Sequence, residues 1–383
     1  MGGNRICTLE IQQSKAVKIP FLDFNSIHEV IRPDLNKAAS SVIESGWFVN
    51  GAEVTAFEHA WANFLGTDMC IGVSSGLDAL ELSLRAAGIG EGDEVIVPSN
   101  TYIATALAST HVGAKPVFVE PVPSTYLIDV DRIENAISER TKAIIPVHLY
   151  GQAADMHSIM ALAEKHGLFI VEDNAQAHGS TWEGQRTGSF GHANATSFYP
   201  GKNLGALGDA GAVTTNDSQL ARQIKMLRNY GSEVKYHNEV IGYNKRLDEM
   251  QAAFLSVKLK HLETWTASRQ AIAEQYLEGL EGVGDLVLPV TQAKATHVFH
   301  LFVVRTNCRD ELAAHLKDQG IGTLIHYRIP PHLQPCYADL GHVRGDFPIA
   351  EELANTVLSL PIWPGMTAGQ VKAVVMAIKG FFA

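Results

Sequence analysis

Three short segments carry residue types whose spacing could do chemistry on one shared ligand. The first is Val171-Glu-Asp-Asn-Ala-Gln-Ala-His178, which closes an apolar run. In an open α/β sheet, ligands bind beyond the carboxyl ends of the strands, so Asp173 stands where a site would form. A carboxylate there can keep a pyridine nitrogen protonated, because an adjacent opposite charge favours the charged form; the plainer reading is a strand-end Asp capping the next helix. The second is Ser197-Phe-Tyr-Pro-Gly-Lys202-Asn-Leu-Gly205, followed by Gly208-Asp-Ala-Gly211. A lysine in such a glycine-rich turn can form an imine with a carbonyl once its pKa is lowered, although most lysines simply lie on the surface. Ser197 could offer its hydroxyl to a phosphate. The third, Ser74-Ser-Gly-Leu-Asp78-Ala-Leu, opens an amphipathic stretch. Free amides at a helix N-terminus, the macrodipole and the small Gly76 make an anion site there, with an ordinary N-cap serine as the alternative.

The elements that must position these residues follow from periodicity. Apolar runs at 94–98, 115–120, 143–149 and 168–172 read as buried strands, and 195–198 and 211–215 as further ones. Amphipathic stretches at 78–87, 104–112, 130–137 and 156–166 lie between them as helices. Such alternation predicts a mainly parallel sheet covered on both faces. Residues 248–280 read as one long helix leaving this unit. Beyond it, 297–306 reads as a strand, with helices over 309–318 and 369–382. The expected organisation is a large α/β domain over residues 1–262, N-terminal segment included, and a smaller α+β domain over 263–383.

Composition narrows the function classes. The 383 residues are 46% hydrophobic and 19% charged, ordinary for a globular chain, and no apolar run is long enough for a membrane span. Thirty basic against 41 acidic residues give a formal charge of −11, which disfavours nucleic acid as a partner. An anionic substrate would need local basic groups and backbone amides. The first 20 residues lack the continuous apolar segment of an export signal, so the cytoplasm is the expected compartment. The four cysteines are scattered without a CxxC, and His332 with Cys336 alone is too little for zinc, so no metal is expected.

Taken together and in this order, the segments make the chain resemble the DegT/DnrJ/EryC1/StrS family of nucleotide-sugar aminotransferases. The resemblance extends from about Pro20 to the C-terminus and includes Gly92–Pro98, His148-Leu-Tyr-Gly151, Gly242-Tyr-Asn-Lys-Arg-Leu247 and Leu358-Ser-Leu-Pro361. It implies a fold type I pyridoxal 5′-phosphate transferase, similar to aspartate aminotransferase. Lys202 would be the Schiff-base lysine and proton carrier, Asp173 the partner of the ring nitrogen, Gln176 that of the ring hydroxyl, and Tyr102 the stacking aromatic. Gly76, Leu77 and Ser197 would hold the phosphate. Leu77, where the family often has Thr or Ser, would offer only its amide. Asn244 matches a residue reaching the phosphate of a neighbouring subunit, which implies a homodimer with shared active sites. His178 is expected to be a hydrogen-bonded structural histidine.

The segment Leu324-Ile-His326-Tyr327-Arg-Ile-Pro-Pro-His332-Leu-Gln334 resembles the branch acting at C-3 of 3-keto-6-deoxyhexoses, although Arg328 stands where that branch commonly has Pro. There the His-Tyr pair reaches the partner's active site. Tyr199, Lys235, His326 and Tyr327 are the implied sugar contacts. The resemblance thus implies transfer from L-glutamate to C-3 of a dTDP-linked 3-keto-6-deoxyhexose, giving a 3-amino-3,6-dideoxy sugar. A C-4 aminotransferase is the enzymatic alternative, and a pyridoxal-phosphate-binding regulator the alternative of another class. The related sugar 3-dehydratases carry His at the lysine position, against which Lys202 argues. About 20 residues ahead of the matching region are too few for a helix-turn-helix.

Overall fold

The computed structural model describes residues 19–383. The stretch 1–18, most of the segment read for an export signal, lies outside the described residues together with Cys7. Two helices come first, α1 (Phe24–Ser45) and α2 (Ala52–Leu65). Neither is among the elements expected from the apolar runs, although Asp23 caps α1 through the Asn25 N–H and Gly46 ends it at φ 64°. The N-terminus of α2 has no capping side chain of its own. Instead the buried Glu249 carboxylate accepts from the N–H groups of Gly51, Glu53 and Val54 at 2.6, 2.8 and 3.3 Å.

Strands and helices then alternate: β1 (Met69–Val73), α3 (Gly76–Ala86), β2 (Glu94–Pro98), α4 (Ile103–His111), β3 (Lys115–Val119), α5 (Val130–Ala136), β4 (Thr141–Ile144), α6 (Met156–His166) and β5 (Phe169–Asp173). A small hairpin, β6 (Thr181–Trp182) and β7 (Gln185–Arg186), precedes β8 (Ala193–Ser197) and β9 (Gly211–Thr215). Seven of these strands form one sheet in the order β1-β9-β8-β5-β4-β2-β3. Strand β9 runs antiparallel to both neighbours and the other pairings are parallel. This is the expected mixed, mainly parallel sheet. Its apolar side chains, among them Ile71, Val95, Val97 and Val171, pack into cores lined by α3, α4 and α6.

Where the chain departs from its periodicity, tertiary contacts explain why. The apolar run 143–149 continues as strand only to Ile144. Pro146 has no N–H to donate, but its carbonyl accepts from Asp173 N–H, and the chain then turns through Leu149–Gly151 with Tyr150 at φ 62°. After α7 (Ser218–Leu227) and the hairpin β10 (Ser232–Val234) and β11 (His237–Asn238), the expected single helix is two, α8 (Glu249–Leu259) and α9 (Leu262–Leu280). No Pro or Gly marks the break. It follows Lys258, which turns inward to donate to the Gly205 carbonyl at 2.7 Å.

Beyond α9, β12 (Phe302–Arg305) begins later than the apolar run predicts, because the N–H groups of Val298 and Leu301 are drawn to the carbonyls of Gly151 and Tyr150. Then come α10 (Arg309–Asp318), α11 (Pro348–Thr356), β13 (Val357–Leu360) and α12 (Ala368–Phe382). Strands β12 and β13 pair antiparallel, and a second core of Tyr276, Phe302, Leu312, Trp363 and Val374 packs around them.

Candidate active site

Three strand or helix ends meet at one place. Helix α3 starts at Gly76, and its first intrahelical bond is made by Ala79 to the Ser75 carbonyl. Ser75 Oγ caps Asp78 N–H at 3.1 Å, so the amides of Gly76 and Leu77 stay ahead of the ladder, where an anion is favoured. Gly76 lies against the end of β8: a methyl group there would fall 2.5 Å from Ser197 Cβ and 3.1 Å from its Oγ. Only glycine leaves this cradle open. Lys245 reaches Asp78 at 2.8 Å and Glu81 at 2.5 Å, fixing the first turn of α3 to the segment that carries Asn244.

Asp173, the last residue of β5, is buried. Its Oδ2 accepts from Thr105 Oγ1 at 2.9 Å and its Oδ1 from Ala175 N–H at 3.2 Å. Burial pushes its carboxyl up, while these two donors and the Lys202 charge pull it back. Lys202 sits in the turn after β8, with its N–H on the Tyr199 carbonyl. Burial holds its amine down to about 8 against the opposing pull of Asp173. An amine so shifted is neutral often enough near pH 7 to attack a carbonyl.

The aromatic wall comes from two places. Tyr102 stands between β2 and α4, and its ring centroid is 5.2 Å from that of Tyr327. The Gln176 side chain ties this wall to the strand ends. Its Oε1 accepts from Tyr150 N–H at 2.8 Å, and its Nε2 donates to the Tyr327 hydroxyl at 3.0 Å. Tyr150 donates its hydroxyl to the His326 carbonyl, and His326 Nδ1 is paired with Ser359 Oγ at 2.8 Å. Within one chain, therefore, the His326–Tyr327 pair closes on that chain's own Gln176 and Tyr102. Burial, aided by the Lys202 charge, keeps the His326 imidazole neutral, with its pKa near 4.

Three of the remaining expected residues, Tyr199, Asn244 and Lys235, lie at the surface. Tyr199 is exposed beside the Lys202 turn, and Asn244 is exposed on the stretch bonded to Asn229 and Tyr230. Lys235, on the β10–β11 hairpin, lies over the Tyr236 ring at 5.1 Å, away from the gathered groups. His178 is buried and accepts from Leu204 N–H at 3.1 Å through Nδ1, as expected of a structural imidazole. Thr105 and its own partner Thr101, Oγ1 to Oγ1 at 3.0 Å, are functional neighbours that no motif announces. The only cue is spacing, since Thr105 follows Tyr102 by one helical turn.

A phosphate cradle, a buried carboxylate and a low-pKa amine at the edge of one sheet define the class: a pyridoxal phosphate enzyme. The chain belongs to the DegT/DnrJ/EryC1/StrS aminotransferase family, whose model matches residues 29–379. It is 51% identical to the dTDP-3-amino-3,6-dideoxy-alpha-D-galactopyranose transaminase of Aneurinibacillus thermoaerophilus, over 95% of this chain and 99% of that protein. Streptomyces venezuelae DesV, solved in complex with a ketimine intermediate, superposes with a TM-score of 0.93 at 50% identity, covering 95% of this chain and 98% of that one. The pyridoxal phosphate form of the sugar aminotransferase Spr1654 of Streptococcus pneumoniae superposes with a TM-score of 0.85 at 26% identity, covering 95% and 97%. The enzyme is accordingly a pyridoxal-phosphate-dependent aminotransferase of fold type I.

Proposed function

We propose that this aminotransferase moves the amino group of L-glutamate to C-3 of a dTDP-linked 3-keto-6-deoxyhexose, yielding the 3-amino-3,6-dideoxy sugar. The observation that carries the reading is the likeness, over nearly the full length of both chains, to a transaminase named for a dTDP-3-amino-3,6-dideoxy sugar. The placement of His326 and Tyr327 beside Gln176 and Tyr102 supports it. When bound, pyridoxal phosphate supplies an electron sink and a carrier for the amino group. The chain's own groups would do the rest. Gly76 and Leu77 amides with Ser197 would hold the phosphate, Asp173 the ring nitrogen, Gln176 the ring hydroxyl, and Tyr102 one ring face. Lys202 would supply the attacking amine and then move the proton. Tyr199, His326, Tyr327 and Lys235 would meet the nucleotide sugar.

The reading includes a cytoplasmic homodimer in which Asn244 of each subunit reaches the partner's phosphate. The exposed apolar side chains of Tyr230, Val234, Tyr236 and Ile241 around the β10–β11 hairpin support a covered surface there. It also divides the chain near residue 262, where α9 begins. The test is a panel of nucleotide-linked 3-keto and 4-keto 6-deoxyhexoses with glutamate as donor. Amination of the 3-keto sugar is expected; efficient turnover of the 4-keto isomer alone would replace this reading by the C-4 enzyme. A glutamate-induced change in the cofactor spectrum separates either enzyme from a regulator that performs no turnover.

A further inference from the structure

Against the Lys202 turn, a small cavity is walled by Leu22, His28, Gly205, Lys258, Trp265 and Arg269. Lys202 itself contributes to the wall, and no carboxylate does. Two of these residues are cations with only 3% of their surface exposed, Lys258 and Arg269. A buried charge normally has an opposite charge beside it, because stripping its water costs several kcal/mol. Here neither does: among the described residues, no Asp or Glu lies within ion-pair distance of Lys258 or Arg269. Burial lowers Lys258 to about 8 and Arg269 to about 10, so both still carry charge at neutral pH.

Their hydrogen bonds leave capacity over. Lys258 Nζ has three N–H donors and meets one acceptor, the Gly205 carbonyl at 2.7 Å. Arg269 Nη1 donates to the carbonyls of Phe299, His300 and Ile362 at 3.2, 3.4 and 3.0 Å, while its buried Nε has no acceptor. An unsatisfied buried donor is uncommon and calls for an occupant. The cavity both residues line is small, with space for about one compact, monatomic-sized occupant. A carboxylate-bearing metabolite or a phosphate would not fit.

We infer that this cavity is a binding site for a single small monovalent anion of the halide class, held between Lys258 and Arg269. The anion supplies the counter-charge that the fold omits. It also couples to the chemistry by position, since the Gly205 carbonyl held by Lys258 ends the turn that carries Lys202. Nothing in this inference depends on which sugar is aminated.

The test uses the holoenzyme at fixed ionic strength, with sodium gluconate replaced stepwise by sodium bromide; the gluconate anion is too large to enter. The expected result is a saturable rise in Tm of roughly 2–4 °C, together with an anomalous bromide peak between Lys258 and Arg269 in crystals grown with the salt. Lys258→Met should abolish the bromide-specific rise. A wild-type map with no peak in this cavity at saturating bromide overturns the inference, and so does a Lys258→Met protein that keeps the full rise. Should that variant fail to fold, the wild-type map decides alone.

Discussion

Thr105 Oγ1 lies 2.9 Å from Asp173 Oδ2, both residues are buried, and Thr105 is in turn paired with Thr101 at 3.0 Å. The hydroxyl therefore fixes which carboxylate oxygen faces α4 and favours the ionised form that burial disfavours. Thr105→Val keeps the shape and removes the donor. We expect Asp173 to titrate higher and kcat to fall roughly 10-fold or more, corresponding to about 1–3 kcal/mol for a donor lost in a dry site. The pH dependence of the bound cofactor's absorbance should shift with it, and Thr105→Ser should restore both. An unchanged spectrum and kcat in Thr105→Val would mean that the hydroxyl only packs.

Gly76→Ala tests the phosphate cradle. The added methyl group would stand 2.5 Å from Ser197 Cβ and 3.0 Å from its Cα, neither of which lies at the end of a flexible side chain. Helix α3 or β8 must shift, closing the space before the free amides. The dissociation constant of pyridoxal phosphate should rise by roughly 10-fold or more, since overpacking of this kind costs about 1–3 kcal/mol. Fluorescence titration of the apoenzyme measures it directly. Wild-type affinity in a folded Gly76→Ala protein would move the phosphate elsewhere.

Much of the site was legible because its residues sit where backbone geometry alone makes them useful. Asp173 ends a strand, Gly76 opens a helix, and Lys202 lies in a glycine-rich turn. Strands β2 and β9 and helices α6 and α10 fall at the limits that periodicity predicts. What periodicity misses depends on partners distant in sequence. Glu249 caps a helix nearly 200 positions earlier, Lys258 is turned into the core from a stretch that reads as uniform helix, and Val298 and Leu301 bond the Tyr150 turn instead of a strand. The link between Gln176 and Tyr327 spans 151 positions, and no local pattern encodes it.

Acid should destabilise the fold through its buried imidazoles. Burial lowers His178 and His297 to about 3, with the Lys202 charge adding to the effect at His178. In the unfolded chain they titrate near 6.5. The unfolded state therefore takes up protons first, so their contribution is complete above about pH 6.5 and is lost progressively as pH falls towards 3, by up to about 1.4 kcal/mol per pH unit for each group. Calorimetry from pH 7 to 5 should show a falling Tm, and His297→Asn should reduce the protons taken up on unfolding at pH 5 by about one. A Tm that is flat across this range would mean that these imidazoles are not held neutral in the folded protein.

His326 offers the sharpest test of how the acceptor is recognised. Its Nδ1 is engaged by Ser359 Oγ at 2.8 Å and its main-chain carbonyl by the Tyr150 hydroxyl, so backbone and ring are each held at one point and Nε2 is left over. With its pKa near 4 it is a neutral imidazole at working pH, able to exchange a hydrogen bond with a sugar hydroxyl through Nε2. A site built to pair a hydroxyl at one position rejects an isomer that carries the carbonyl there, because a buried polar group is left without a partner. Glutamate carries no sugar hydroxyl to be paired. His326→Ala should therefore slow the half-reaction with the keto-sugar by roughly 10- to 100-fold, equivalent to about 1.4–2.7 kcal/mol, and leave the half-reaction with glutamate within a few-fold of wild type. Stopped-flow absorbance of the bound cofactor resolves the two halves. Ser359→Ala, which frees the ring without removing it, should give a smaller loss in the same half-reaction. Equal losses in both halves would make His326 a structural support for the Tyr327 wall and remove it from the sugar contacts.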